Sequence, residues 1–129
     1  MRYLLDTHTL IWSQDDPGKL SATAKVELTD PANVRLLSVA TVWEIGIKVA
    51  LKKLKLSKPF RQWVQIAIKD LVLTELPIEL EHIERQMSLP LHHRDPFDRM
   101  LAAQSLVLGI PVIGNDGIFD AYGVARIWN

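Results

Sequence analysis

The sequence has no cysteine. That excludes disulfides, thiolate metal sites and a cysteine nucleophile, and it fits a reducing compartment. No apolar run approaches the length of a membrane span. The N-terminal MRYLLDTHTLIW carries an apolar patch, but Asp6 and His8 interrupt it, and it is too short and too polar for a signal peptide. A soluble, cytoplasmic chain with no membrane role is expected. Net charge is absent too: 15 Lys and Arg balance 15 Asp and Glu, so overall charge does not mark a nucleic-acid binder. Internal repeats, low-complexity tracts and linkers are missing, and residues 1–129 suit a single domain. A domain of this length has a radius of gyration of roughly 14 Å. Residues far apart in sequence can therefore share one site. Apolar residues make up 48% of the chain, enough for a core without covalent staples.

Short apolar runs alternate with helical patterns. RYLL (2–5), NVRLLS (33–38), VLTELP (72–77), IPVIG (110–114) and VARIW (124–128) read as strands. Between them, THTLIWSQ could start a helix, and Ser21 and Ser38 suit the N-caps of helices beginning ATAKVELTD and VATVWEIGIKVALKKL. Pro59 opens FRQWVQIAIKDL, and IELEHIERQMSLP reads as an amphipathic helix with Leu80, Ile83 and Met87 on one face. Asp95 and Pro96 open a further helix that Gly109 closes. This order predicts an α/β fold with a parallel sheet covered on both faces.

Ligands of open parallel sheets bind beyond the carboxyl ends of the strands. Asp6 follows the first strand and Asp116 the fourth, while Glu44 and Asp98 lie in the opening turns of helices whose N-termini point to that same edge. Each acid also has a local explanation. Asp6 can cap the helix from Thr7. Glu44 has Lys48 at the favourable i,i+4 spacing, although it interrupts the apolar VATVWEIGI. Asp95-Pro96-Phe97-Asp98 resembles a capping box with Asp98 at N3, and Asn115-Asp116-Gly117 is good turn chemistry. Four carboxylates at one edge repel, by about 4 kcal/mol for two charges about 4 Å apart at an effective dielectric near 20. Such a cluster needs raised pKa values or a cation, and oxygen ligands favour a hard ion, Mg²⁺ or Mn²⁺. From Lys48 to Arg61, six basic residues occur without an acid; the run is either a solvated helix end or a patch for phosphates.

The segments YLLDTHTLIW, LSVATVWEIGIK, DPFDRMLAAQ and VIGNDGIF occur in that order from residue 3 to residue 119. Together they resemble the PIN-domain (PilT N-terminal) family, and within it the VapC-type toxins of type II toxin–antitoxin pairs. The resemblance implies a three-layer α/β/α Rossmann-like fold with a central, mainly parallel sheet of four to five short strands. It implies a metal-dependent endoribonuclease that leaves 5′-phosphate and 3′-hydroxyl ends. By position its acids fall on Asp6, Glu44, Asp98 and Asp116, holding one or two Mg²⁺ or Mn²⁺ ions. RNA as substrate, a cognate VapB-type antitoxin and a homodimer are the implied partners, with Trp12, Trp43 and Trp63 as candidate antitoxin contacts or core residues.

Two positions depart from the family pattern. His8 stands where a small polar residue is common, so it either touches the site or packs beside it. Gly114 stands where Thr or Ser is common, which removes a hydroxyl able to order a metal-bound water. Lys48, Arg99 and His93 are candidate substrate contacts. A metal role is not expected of His92 or His93, since neighbouring loop residues diverge and carboxylates suffice for Mg²⁺. Asp120 is either a supporting acid or a surface residue. The alternative to a nuclease is a non-catalytic PIN-like module that grips RNA or protein. A receiver-like acidic pocket would need a lysine after a late strand, and IPVIGND and VARIWN offer none.

Overall fold

A computed structural model describes residues 1–129. Five parallel strands form one sheet in the order β3-β2-β1-β4-β5: β1 Arg2–Leu5, β2 Val34–Ser38, β3 Leu73–Leu76, β4 Val112–Ile113 and β5 Arg126–Ile127. Helices α1 Thr7–Asp15, α2 Ala22–Thr29, α3 Val39–Ala50, α4 Phe60–Asp70, α5 Leu80–Met87, α6 Pro96–Leu108 and α7 Ile118–Ala121 connect them. The expected three-layer arrangement follows from strand alternation. Tyr3, Leu5, Leu37 and Ile113 point into one core with Leu10 of α1, Leu28 of α2, Ile45 of α3 and Trp63 of α4. Leu4, Leu36 and Val112 point into the other with Leu101 of α6 and Phe119 of α7. Leu4 and Leu5 are both fully buried, each worth about 2 kcal/mol in apolar area removed from water. A strand apolar on both faces has no solvated side, which is why RYLL and RLLS read as continuous apolar runs.

The last two strands are shorter than IPVIG and VARIW predicted. Pro111 brings no N–H to the ladder, although its carbonyl accepts from Leu4 N–H at 3.0 Å, and Gly114 N–H still reaches Ile127 O at 3.1 Å. Helix α5 forms where expected but turns its apolar stripe outward: Leu80 and Met87 are each 78% exposed. The helix instead buries His82, whose Nδ1 accepts from Glu79 N–H at 3.0 Å and lies 3.3 Å from Gln104 Nε2 of α6. Two polar contacts at its first turn therefore override the apolar period of an eight-residue helix.

Candidate active site

The strand order sets β1 in the centre, between β2 and β4. The crevice where the order reverses lies beyond the carboxyl ends of β1 and β4. Asp6 is the first residue past β1 and caps α1, with Oδ1 accepting from Thr9 N–H at 2.8 Å. It is only 3% exposed. Burial raises its pKa and the charge of Asp116 adds to that, against the pull of the Thr9 hydrogen bonds and His8. The expected cap forms and occupies Oδ1 alone. Oδ2 lies against the backbone of Gly114, where a Cβ would come within 2.5 Å of it. This explains glycine at position 114: the buried carboxylate of Asp6 fills the space a side chain would need.

Glu44 is as buried as Asp6 although it sits in the middle of α3. Its Oε1 accepts from the Thr7 hydroxyl at 2.6 Å, and its Oε2 pairs with Lys48 Nζ at 2.6 Å. Desolvation works against the Lys48 ammonium, but Glu44, with Asp95 and Asp98 beyond it, outweighs that and raises its pKa. Lys48 thus serves as an internal counter-ion to the acids. Thr7, which the sequence reading did not single out, thus joins the candidate site; its signal was its place directly after Asp6.

Asp95 caps α6, with Oδ1 accepting from Phe97 N–H at 2.8 Å and Asp98 N–H at 3.1 Å. The return half of the expected capping box does not form. The Asp98 side chain turns to His93 instead, with Oδ2 3.1 Å from Nε2. Burial, then the charges of Asp95, Glu44 and Asp116, push the Asp98 carboxyl up to about 7 against the pull of His93. Asp116 is exposed; its Oδ1 accepts from Ile118 N–H at 3.0 Å in an Asx turn. With Asp6, His8, Trp12 and Asn115 it lines a cleft of about 230 Å³.

The two histidines do diverge, as neighbouring loop residues should. His92 packs on Tyr122 at 5.2 Å between ring centroids. His93, for which no metal role was expected, reaches the acids: one donor atom from each of His93, Asp95 and Asp98 lies within 4.8 Å of the others. That cluster is capable of coordinating a metal ion. The loop carrying His93 is held by Arg99, whose guanidinium donates to Pro90 O at 2.9 Å, Gln86 O at 3.0 Å and Tyr122 Oη at 3.3 Å. Arg99, a candidate substrate contact, clamps this loop. His93 N–H donates to the same Tyr122 oxygen at 3.0 Å.

Asp120 forms a two-pronged pair with Arg126, both contacts at 3.0 Å, and Arg126 also donates to Gly114 O at 3.2 Å. The hydrogen bond to Arg126 lowers the pKa of Asp120. Asp120 therefore supports the end of β4 through Arg126, a residue that VARIW concealed as ordinary strand. Of the tryptophans, Trp63 is core, with its indole N–H on Asp15 Oδ1 at 3.1 Å. Trp43 is exposed and meets Phe97 edge-on, and Trp12 is half-buried at the cleft.

The donor chemistry fits a divalent cation. Two carboxylates are buried, two more carry like charge toward them, and an imidazole nitrogen stands beside Asp98. No helix is long and apolar enough to cross a membrane. A family model described as PIN domain matches residues 3–125. No curated protein matches the sequence significantly. Among solved structures, the VapBC2 complex of Rickettsia felis bound to a promoter DNA fragment superposes with a TM-score of 0.75 at 14% identity, covering 100% of both chains. VapC20 of Mycobacterium tuberculosis, a toxin that cleaves the sarcin–ricin loop, gives 0.69 at 18%, covering 98% of this chain and 99% of that one. FitAcB of Neisseria gonorrhoeae gives 0.65 at 21%, covering 100% and 97%. Likeness at these identities is likeness of fold.

Proposed function

The chain belongs to the PIN-domain family, and on that premise we propose that it is a metal-dependent endoribonuclease, the toxin of a VapBC-like type II toxin–antitoxin pair. The observation that carries the proposal is the convergence of the acids on one edge, where burial and then their mutual charge hold the Asp98 carboxyl near 7. Carboxylates arranged at such cost are characteristic of functional sites. Asp6, Glu44, Asp98 and Asp116 hold one or two Mg²⁺ or Mn²⁺ ions in this reading. The metal, when bound, lowers the pKa of a water and neutralises charge on the phosphodiester.

The chain's own groups prepare that site. Thr7 Oγ1 and Lys48 Nζ fix the two oxygens of Glu44, and Thr9 N–H fixes Oδ1 of Asp6. Burial excludes water from both carboxylates, which strengthens their interaction with a cation. A carboxylate of the cluster would accept the proton of the attacking water. The exposed stripe of Leu80, Ile83 and Met87, and the groove of about 560 Å³ beside Trp43, are surfaces for a second copy and for a VapB-type antitoxin.

RNA cleavage by purified protein in Mn²⁺, Mg²⁺ or EDTA, beside Asp98→Asn, tests the reading. Metal-dependent cutting lost in the variant supports it. Equal cutting by both proteins refutes it, and no cutting of total RNA by either moves the assignment to a binding module without catalysis.

A further inference from the structure

Two clefts share a wall. The first opens over Asp6 and Asp116 and is bounded by His8 and Trp12. The second, of about 380 Å³, shares His8 and Trp12 and carries Lys19, Lys48 and Lys53. Beyond Leu54 a third cleft continues with Lys52, Lys55 and Lys58. The basic run of the sequence is thus a wall that leads away from the acidic edge.

Aromatic groups stand at the junction. Trp12 rests against Trp128 with ring centroids 5.9 Å apart. The exposed His8 ring lies 5.4 Å from Trp12, tilted by 36°, and Lys19 Nζ lies 5.9 Å from the Trp12 ring. The one acid of the second cleft, Asp16, meets Lys19 at 3.5 Å in an exposed pair. Such a pair is weak and readily exchanged for a phosphate. Flat rings interleaved with mobile cations match a strand that alternates bases and phosphates. A duplex would keep its base faces stacked within itself.

We propose that this track binds a single strand of RNA beside the scissile phosphate, with one base stacked on Trp12 and His8 and the adjoining phosphates on Lys19 and Lys53. The assignment rests on the nuclease reading for the position of the scissile phosphate. It gives a role to three features that reading leaves unused: His8, the half-buried Trp12 and the lysines beyond Lys48. RNA follows from the nuclease reading, and continuity with the acidic cleft places the strand, since one cut there must leave along a wall of opposite charge.

The test is fluorescence anisotropy with a fluorescein-labelled twelve-nucleotide oligouridylate, a mixed-sequence RNA of equal length and its duplex, with Ca²⁺ in place of Mn²⁺. Trp12→Ala should weaken binding to both single strands about tenfold or more, while Trp12→Phe retains most of the affinity. Because Trp12 also packs on Trp128, the exposed pair Lys19→Ala with Lys53→Ala provides the variant free of folding effects. It should make the slope of log K against log salt shallower by about 1.4, or about 0.7 per lost phosphate contact. An unchanged slope and affinity in the lysine variant, equal affinity for the duplex, or no binding by the unmodified protein would overturn the track. If the protein binds through these residues but cuts nothing in Mn²⁺, the nuclease reading falls and the track stands. If it cuts in Mn²⁺ while the variants bind and cut like the parent, the track falls alone.

Discussion

Replacing Asp98 with asparagine should leave the metal-free protein as stable as the parent, or slightly more stable, above neutral pH. The folded-state carboxyl sits at about 7 against an ordinary 3.8. A carboxylate whose pKa rises on folding binds more protons folded than unfolded across that interval, so stability falls as pH climbs from about 4 to about 7. The penalty is fully present above pH 7 and absent below 4. Its ceiling is about 4 kcal/mol. The side chain is 20% exposed and paired with a half-exposed His93, and solvent screening reduces the net to about 1–2 kcal/mol. The asparagine variant avoids that penalty but gives up its favourable place at the helix N-terminus, worth about 0.3–1 kcal/mol.

The expected outcome at pH 8 in EDTA is a melting temperature unchanged or raised by a few degrees. At pH 4.5 the advantage should disappear, because the parent carboxyl is then protonated. Mn²⁺ should raise the melting temperature of the parent and leave the variant unmoved, by mass action on the folded state. Thermal denaturation at both pH values, with and without Mn²⁺, measures all of this. A loss of apo stability that is equal at both pH values would refute the electrostatic reasoning and make Asp98 a structural residue.

Three further perturbations address the supports of the site. Arg99→Ala should cost about 1–2 kcal/mol by orphaning loop carbonyls and should speed amide exchange over residues 88–94; an unchanged melting temperature with weaker RNA binding would make Arg99 a phosphate contact after all. Gly114→Ala should displace the Asp6 carboxylate, since the new Cβ would come within 2.5 Å of Oδ2; calorimetry should show weaker Mn²⁺ binding with the fold retained, and parent-like affinity would refute the close approach. Val72 is β-branched, exposed and held at φ 52°, so Val72→Asn should stabilise by about 0.5–1 kcal/mol in a denaturant titration, and any loss would count against backbone strain there.

Much of this protein was legible locally. The runs RYLL and RLLS announce strands buried on both faces because successive side chains enter opposite cores. Ser21, Ser38, Asp95 and Gly109 mark helix ends because capping is a contact between residues two to four apart. Asp6 and Asp116 stand at strand ends for the same local reasons that make them caps and turns. The sequence by itself therefore determined the elements, the parallel sheet and the acids available to its edge. Only the tertiary structure decided which groups meet. The crossovers that put β1 between β2 and β4 join Thr7 to Glu44 and Asp6 to Gly114. The path of the loop before α6 takes His93 to Asp98 and makes Arg99 its clamp. One buried histidine turns the apolar face of α5 outward. Periodicity and capping act within a turn or two of chain, whereas these contacts depend on how distant segments pack, and no short-range pattern records that.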